Sequence, residues 1–593
     1  MDWANVNFTL YHNNNLDEKL SSFKGYTYNL VDGKIQKEKV EKKAIFDEEK
    51  DENRTEIKIA FPKVVEGSVL EYDYEIISDY TYNLQPWSFQ YSIPVLYSEY
   101  TIGIPEYYEY NAHMSGYENI SLKEESVGRT IVFVSSERTG GNSMGDPVQS
   151  HFYRDEVKYT QRSKIYTATN LPAMDDEAYV DNIENYLSKI NFELRYVNFP
   201  GEVQRNFTTS WEEINTKLLD DPDFGRQLDR GAYLEDDLKA YLGSTENSEE
   251  KLAKTVAFIK NKMKWNETYR LYTKDGVKAA YKAGIGNSSE MNLNLVVALR
   301  NAGFDAFPIA LSTRSHGLVM EWQVTVTGFN HVVAGVKLGD NTIYCDATSP
   351  VNMVNLLPTQ CLNGKARVID LNKGGWIDLS PKSISRKSVY AIMEIDENSI
   401  ISGKVNVSYK DYFALNIAES IKGDDSLSHR REALSKMQSN ATIDSLKIEF
   451  EKTGKPEVKE SYQVKLENST SASADIIYFS PVSGYSFEKN PFVKVERKIP
   501  VNFTYPREEA ITIRYKIPAT YKVEEIPSNI SLSMPESKAK YVISYQVVGN
   551  ELVVSSKLTI PNILYLSTDY PFLRGFFDEV VKKQNEKVVL KRI

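Results

Sequence analysis

A serine, a histidine and an aspartate follow one another in an order that could support nucleophilic catalysis. Ser288 lies near the start of Gly286-Asn287-Ser288-Ser289-Glu290-Met291-Asn292-Leu293-Asn294-Leu295-Val296-Val297-Ala298-Leu299. His331 opens the apolar run Val332-Val333-Ala334-Gly335-Val336, and Asp346 closes Ile343-Tyr344-Cys345. A hydroxyl that gives its proton to an imidazole, itself oriented by a carboxylate, performs acyl transfer on several unrelated folds. On that reading Ser288 is the nucleophile, His331 the general base and Asp346 its orienter, with the Ser289 N–H serving the oxyanion. The residue types also have an ordinary explanation. A serine at a helix start is usually a cap, and a histidine or aspartate at a strand end is usually satisfied polar structure. No Gly-x-Ser-x-Gly elbow surrounds Ser288, which argues against an independent hydrolase lineage.

Position gives Ser288 its interest. The residues after it predict a helix that is apolar on nearly every side, with Ser288 as N-cap and Gly303 as the C-terminal stop. A helix apolar all round is a buried helix. Its first turn presents backbone N–H groups and the positive end of the dipole, where a thiolate would be favoured. A serine hydroxyl is far less acidic than a thiol, so the dipole alone does not ionise it. Cys345 could carry thiol chemistry instead, but strand alternation points it away from whatever Asp346 faces.

Residues 286–290, His331 and Asp346 together resemble the transglutaminase-like (papain-like) core, whose pattern is Gly-Asp-Cys-Lys-Asp before the helix, then His, then Asp. Here Ser288 occupies the nucleophilic Cys position. The resemblance implies an α+β core with a degenerate triad at Ser288, His331 and Asp346. A second resemblance lies upstream, in Lys24-Gly25-Tyr26-Thr27-Tyr28, Glu66-Gly67-Ser68-Val69-Leu70-Glu71-Tyr72 and Trp87-Ser88-Phe89-Gln90 with Ile93-Pro94-Val95. These look like the uncharacterised β domain that precedes such a core in many Gram-negative envelope proteins, and residues 497–593 resemble its companion C-terminal domain. The family domain usually begins earlier, after a signal peptide, so the resemblance implies a shortened start and a periplasmic or envelope location.

Composition narrows the function classes. The 593 residues are too many for one core, so several domains are expected. Hydrophobic content of 41% and charged content of 26% are those of folded protein, and 39 tyrosines favour strands. With a net charge of −11 and no basic stripe, nucleic acid is not an expected partner. No apolar run is long enough to span a bilayer, and residues 1–15 carry no export signal. Two cysteines, Cys345 and Cys361, are too few for a disulfide framework, and one bridge or two free thiols are both open. Six scattered histidines show no zinc-binding spacing, so no metal and no cofactor is expected.

Along the chain, residues 1–173 read as a β-sandwich domain, from the alternation of Ile57, Ile59 and Phe61, then Leu70, Tyr72, Tyr74 and Ile76, then Trp87, Phe89, Tyr91 and Ile93. Residues 136–147 read as a Gly/Ser-rich loop, and its glycines lack the Lys-Ser/Thr of a phosphate loop. Residues 174–381 form the core. Helices are expected over 181–190, 210–219 and 233–242, and one opens at Asn247 with Glu250 three residues on. Strands are expected over 304–313 and 318–327, with His331 and Asp346 on the next two. A β-rich segment with two helices follows over 382–496, then a C-terminal β domain over 497–593. Three function classes remain: a non-catalytic binding or scaffolding module with a protein or envelope partner, a Ser-dependent hydrolase or acyltransferase on peptide or amide bonds, and a carbohydrate-binding sandwich using Trp87, Tyr107 and Tyr108.

Overall fold

The computed structural model describes residues 2–593 apart from residues 14, 52, 82–83, 140–148, 176, 208–209, 350–353, 422–424, 439–440, 451–455, 467–469, 474 and 483. The chain is multidomain and mixed α+β, rich in strand. It divides into two compact units, residues 1–173 with 187–208, and residues 174–186 with 209–593.

The first unit is built of antiparallel sheets. Strands Asn5–Tyr11, Arg54–Ala60 and Ile45–Asp51 form one sheet, and Lys34–Lys39, Glu18–Val31 and Val69–Ser78 another. Val6, Leu10, Ile57, Ile59 and Phe61 fill the core between them, packed by Phe23, Leu70 and Ile76. A second core of Phe89, Ile102, Tyr166, Leu171, Ile190 and Phe192 joins the sheet of Val95–Pro105, Ser121–Thr139 and Gln149–Leu171 to the sheet around Lys189–Val197. The expected loop over residues 136–147 begins inside the strand Ser121–Thr139, and the rest of it, with Gly140, Gly141 and Gly145, lies outside the described residues.

The helix expected over residues 181–190 is a correction. Only one 3-10 turn forms, Ile183–Asn185, capped by the Asn182 side chain, and the strand Lys189–Val197 follows at once. Ile190, Phe192 and Leu194 are buried in alternation, and this two-residue period outweighs the weak helical one.

The second unit contains the buried helix. Ser288–Asn301 is inaccessible from Ser288 through Leu299, wrapped by the helices Ser248–Lys262, Val277–Ala283 and Glu235–Leu242. Its floor is a five-stranded antiparallel sheet in the order Asn341–Cys345, His331–Leu338, Asp305–Leu311, Lys365–Val368, Gly375–Asp378. Alternate residues of these strands serve opposite faces. Ala306, Ala310, Val332, Ala334 and Val336 pack toward the helix, whereas Phe307, Ile309, Leu311 and Val333 pack on the far side.

The strand expected over residues 318–327 does not form. Gly317 sits at φ 101°, Asn363 Nδ2 donates to its carbonyl at 2.8 Å, and a 3-10 turn occupies Val326–Gly328. Met320 and Trp322 are exposed, so the apparent alternation has no face to bury, and Asp305–Leu311 pairs directly with His331–Leu338.

Beyond residue 384 an eight-stranded sheet runs Thr442–Phe450, Glu457–Leu466, Ile401–Lys410, Ser385–Ile395, Arg507–Lys516, Glu551–Ile560, Lys540–Val548, Ile530–Ser533. It is antiparallel except where Ser385–Ile395 and Arg507–Lys516 run parallel. The expected boundary at 496/497 therefore falls inside one sheet. The C-terminal helix Tyr570–Gln584 buries Leu573, Phe577 and Val580 in the same core.

Candidate functional site

The helix start is built by residues that all use their polar atoms. Asn287, and not Ser288, is the N-cap: its Oδ1 accepts from Glu290 N at 2.9 Å, while Glu290 Oε2 accepts from Asn287 N at 2.8 Å, a complete capping box. The expectation of Ser288 as cap was one residue late, because Asn at the cap position with Glu three residues on is the stronger signal. Ser288 is the first helical residue. Its Oγ donates to Arg270 O at 3.1 Å and accepts from Arg270 N at 2.9 Å, and its own N–H goes to Thr268 O at 3.0 Å. Ser289 Oγ donates to Leu271 O at 2.8 Å, and Glu290 Oε1 accepts from the N–H groups of Lys274 and Asp275 at 3.0 and 2.9 Å. Residues 268–275 are thereby fastened along the helix N-terminus.

His331 is the first residue of its strand, opposite Leu311, and Asp346 directly follows Asn341–Cys345. Adjacent antiparallel strands bring the two together: His331 Nε2 donates to Asp346 Oδ2 at 2.9 Å, with both side chains fully buried. The other carboxylate oxygen, Oδ1, accepts from Asn292 Nδ2 at 2.9 Å and from Thr348 N and Oγ1 at 2.7 and 2.8 Å. Asn292 lies one turn beyond Ser288 and also accepts from Ala347 N at 2.7 Å, so it ties the helix to the Asp346 turn. Cys361 Sγ donates to Asp346 Oδ2 at 3.5 Å from the far side. The Tyr269 ring stands edge-on to His331, centroids 5.1 Å apart.

Burial works against the charge on Asp346, but the neighbouring His331 and the hydrogen bonds from His331, Asn292 and Thr348 overcome it and hold the carboxyl down at about 2. Burial pushes the Cys361 thiol well up, and the Asp346 charge pushes it further. Cys345 is driven up to about 12, chiefly by burial. Burial pulls the Lys260 ammonium down to about 7, against the attraction of Asp346 and Cys345. None of these thiols is poised as a thiolate nucleophile.

The structure joins His331 to Asp346 by a hydrogen bond and turns the Ser288 hydroxyl to the Arg270 backbone. Among the described residues no hydrogen bond joins Ser288 to His331, and His331 Nδ1 is a buried nitrogen without a partner. Cys345 packs in the helix-side core, turned from the pair as alternation required, and Cys345 and Cys361 are both free. Two contributors escaped the sequence reading. Asn292 looked like one polar interruption of an apolar helix, and Cys361 stands 15 residues beyond Asp346 in a loop whose path no periodicity reveals. The ligand-capable atoms of His331, Asp346 and Cys361 lie within 4.8 Å of one another. The three aromatics considered for a carbohydrate platform do not form one: Trp87 stacks on Tyr100 and donates its indole N–H to Ser98, while Tyr107 and Tyr108 pack on Phe199.

Comparison with known proteins bears on the fold. Residues 7–137 match the family model of a domain of unknown function with a solved structure, DUF3857, and residues 475–590 match another so described, DUF3858. No curated protein matches the chain. A crystal structure from Parabacteroides distasonis, provisionally described as a protease, superposes with a TM-score of 0.55 at 13% identity, over 99% of this chain and 92% of that one. The chain thus shares the fold of that protein. A second structure, from Cytophaga hutchinsonii and provisionally described as a cysteine protease, gives a TM-score of 0.17 at 14% identity, over 44% of this chain and 82% of that one, too low to bear on the fold.

Proposed function

We propose that this protein is a catalytically degenerate member of the transglutaminase-like type, working as a binding or scaffolding module in the bacterial cell envelope. One observation carries the reading: the Ser288 hydroxyl spends both its donor and an acceptor position on the Arg270 backbone, while His331 Nδ1 faces no partner. A Cys–His pair works because the thiol titrates near neutrality and the imidazole holds the ion pair. Serine offers neither the acidity nor, in this rotamer, the direction. What remains is a buried His331–Asp346 pair that stiffens the sheet edge.

The alternative, a Ser-dependent hydrolase or acyltransferase on peptide or amide bonds, draws on the intact His331–Asp346 hydrogen bond. It requires Ser288 to leave Arg270 and reach Nδ1. A fluorophosphonate probe separates the two. Wild-type protein should stay unlabelled, whereas Ser288→Cys should gain a thiol that alkylates at neutral pH in a His331-dependent manner. Labelling of wild type that is lost in both Ser288→Ala and His331→Ala would replace the scaffolding reading with the hydrolase. Envelope location rests on the resemblance of residues 24–95 and 497–593, and full-length protein found only in the cytosol on fractionation would remove that part.

A further inference from the structure

The geometry points to a second use of the His331–Asp346 pair: together with Cys361 it forms a site for one thiophilic divalent cation of the zinc type. The three side chains offer an imidazole nitrogen, a carboxylate oxygen and a sulfur, the donor set zinc favours. Around a tetrahedral zinc with metal–ligand bonds of about 2.0–2.3 Å, donor atoms stand about 3.3–3.6 Å apart. Here His331 Nε2 and Asp346 Oδ2 are 2.9 Å apart and Cys361 Sγ and Asp346 Oδ2 are 3.5 Å apart, and one ligand atom from each of the three residues falls within 4.8 Å of the other two. Metal binding requires the histidine–aspartate pair to open by about 0.4 Å and the histidine and cysteine to settle at the tetrahedral spacing.

The surroundings supply what a metal site needs beyond its ligands. Asp346 Oδ1 is held by Asn292 and by both Thr348 donors, so the carboxylate is already aimed before an ion arrives. Each ligand sits at the end or beginning of a regular element: His331 at a strand start, Asp346 just past a strand end, and Cys361 at the end of the 3-10 turn Thr359–Cys361. The charges balance in a dry place: a thiolate and a carboxylate offset two positive charges. The nearby charged groups are Lys260 and Glu419. The protons balance too. The Cys361 proton leaves to solvent, and the imidazole proton passes from Nε2 to Nδ1. The Nε2–H···Oδ2 hydrogen bond is exchanged for two metal–ligand bonds, and Nδ1, without a partner in the metal-free chain, takes the proton. The fourth coordination position is left to water or a ligand.

Cobalt(II) titrated into the purified, metal-stripped full chain provides the test. The expected result is one ion per chain with a thiolate-to-cobalt charge-transfer band, kept in Cys345→Ser and lost in Cys361→Ser. Asn292→Ala should weaken binding about tenfold or more by releasing the carboxylate. A measurement on wild type avoids dependence on variant folding: zinc should slow alkylation of Cys361, read by mass spectrometry, and leave Cys345 unchanged. Absence of the band, its persistence in a folded Cys361→Ser, or equal Cys361 alkylation with and without zinc would each overturn the site. None of these readouts depends on Ser288, so the outcome stands apart from the question of catalysis.

Discussion

Asp346 is the most heavily bonded residue of the site, and its charge is a stability term. Its carboxyl is held at about 2 in the folded chain, below the ordinary value near 4. The unfolded chain therefore binds the extra proton first, and the contribution is complete above about pH 4 and lost as pH falls toward about 2. Its size is about 2 kcal/mol. Urea unfolding across this range should show a fall in stability that is flattened in Asp346→Asn, and an identical slope in the two proteins would contradict the assignment. Asn292→Ala should cost about 3 kcal/mol, because it leaves both Asp346 Oδ1 and the Ala347 N–H short of a buried partner. Ser288→Ala frees the Arg270 N–H and C=O, which are neutral and only partly buried, so its cost should be smaller, about 1–2 kcal/mol. An Asn292→Ala loss below that of Ser288→Ala would reverse this ordering.

At the scale of elements, the buried helix and the segment 268–275 act together. Asn287, Ser288, Ser289 and Glu290 each bond that segment's backbone, so the cap of the helix is also the clasp of the loop. Asn287→Ala should destabilise by about 1–2 kcal/mol. Hydrogen exchange gives the sharper test. Amides of Arg270, Lys274 and Asp275 should exchange faster in Asn287→Ala and Glu290→Ala, while those of the strand His331–Leu338 keep their protection. Uniform loss of protection across the unit would mean that the clasp is not a local element. Tyr269 rides on this segment with its ring edge-on to His331, so the segment also contacts the histidine.

At the scale of the whole molecule, the two compact units are separate cores, and the second holds both the site and the eight-stranded sheet. Ser385–Ile395 lies parallel to Arg507–Lys516, and Ile476–Phe479 pairs with Val588–Arg592. The second pairing accounts for a family match that begins at residue 475, upstream of the boundary expected from sequence. A fragment of residues 497–593 alone lacks both partner strands, and it should show no cooperative thermal transition, whereas residues 382–593 should melt cooperatively. A folded 497–593 would show that the shared sheet is not needed.

The sequence by itself determined the elements whose signal is local. The all-apolar run after Ser288 marked a buried helix, and Asn247 with Glu250 marked a true helix start. It also set Ser288, His331 and Asp346 in order as candidates. Only the tertiary structure decided which of them meet. His331 and Asp346 are joined because antiparallel pairing places one strand's start beside the next strand's end, whereas Ser288 is turned to Arg270 by a loop that no pattern announces. Cys361 and Asn292 reach Asp346 from opposite sides of the sheet. Hydrogen bonds between residues far apart in the chain depend on where the elements pack, and packing is a property of the assembled core, not of any local stretch.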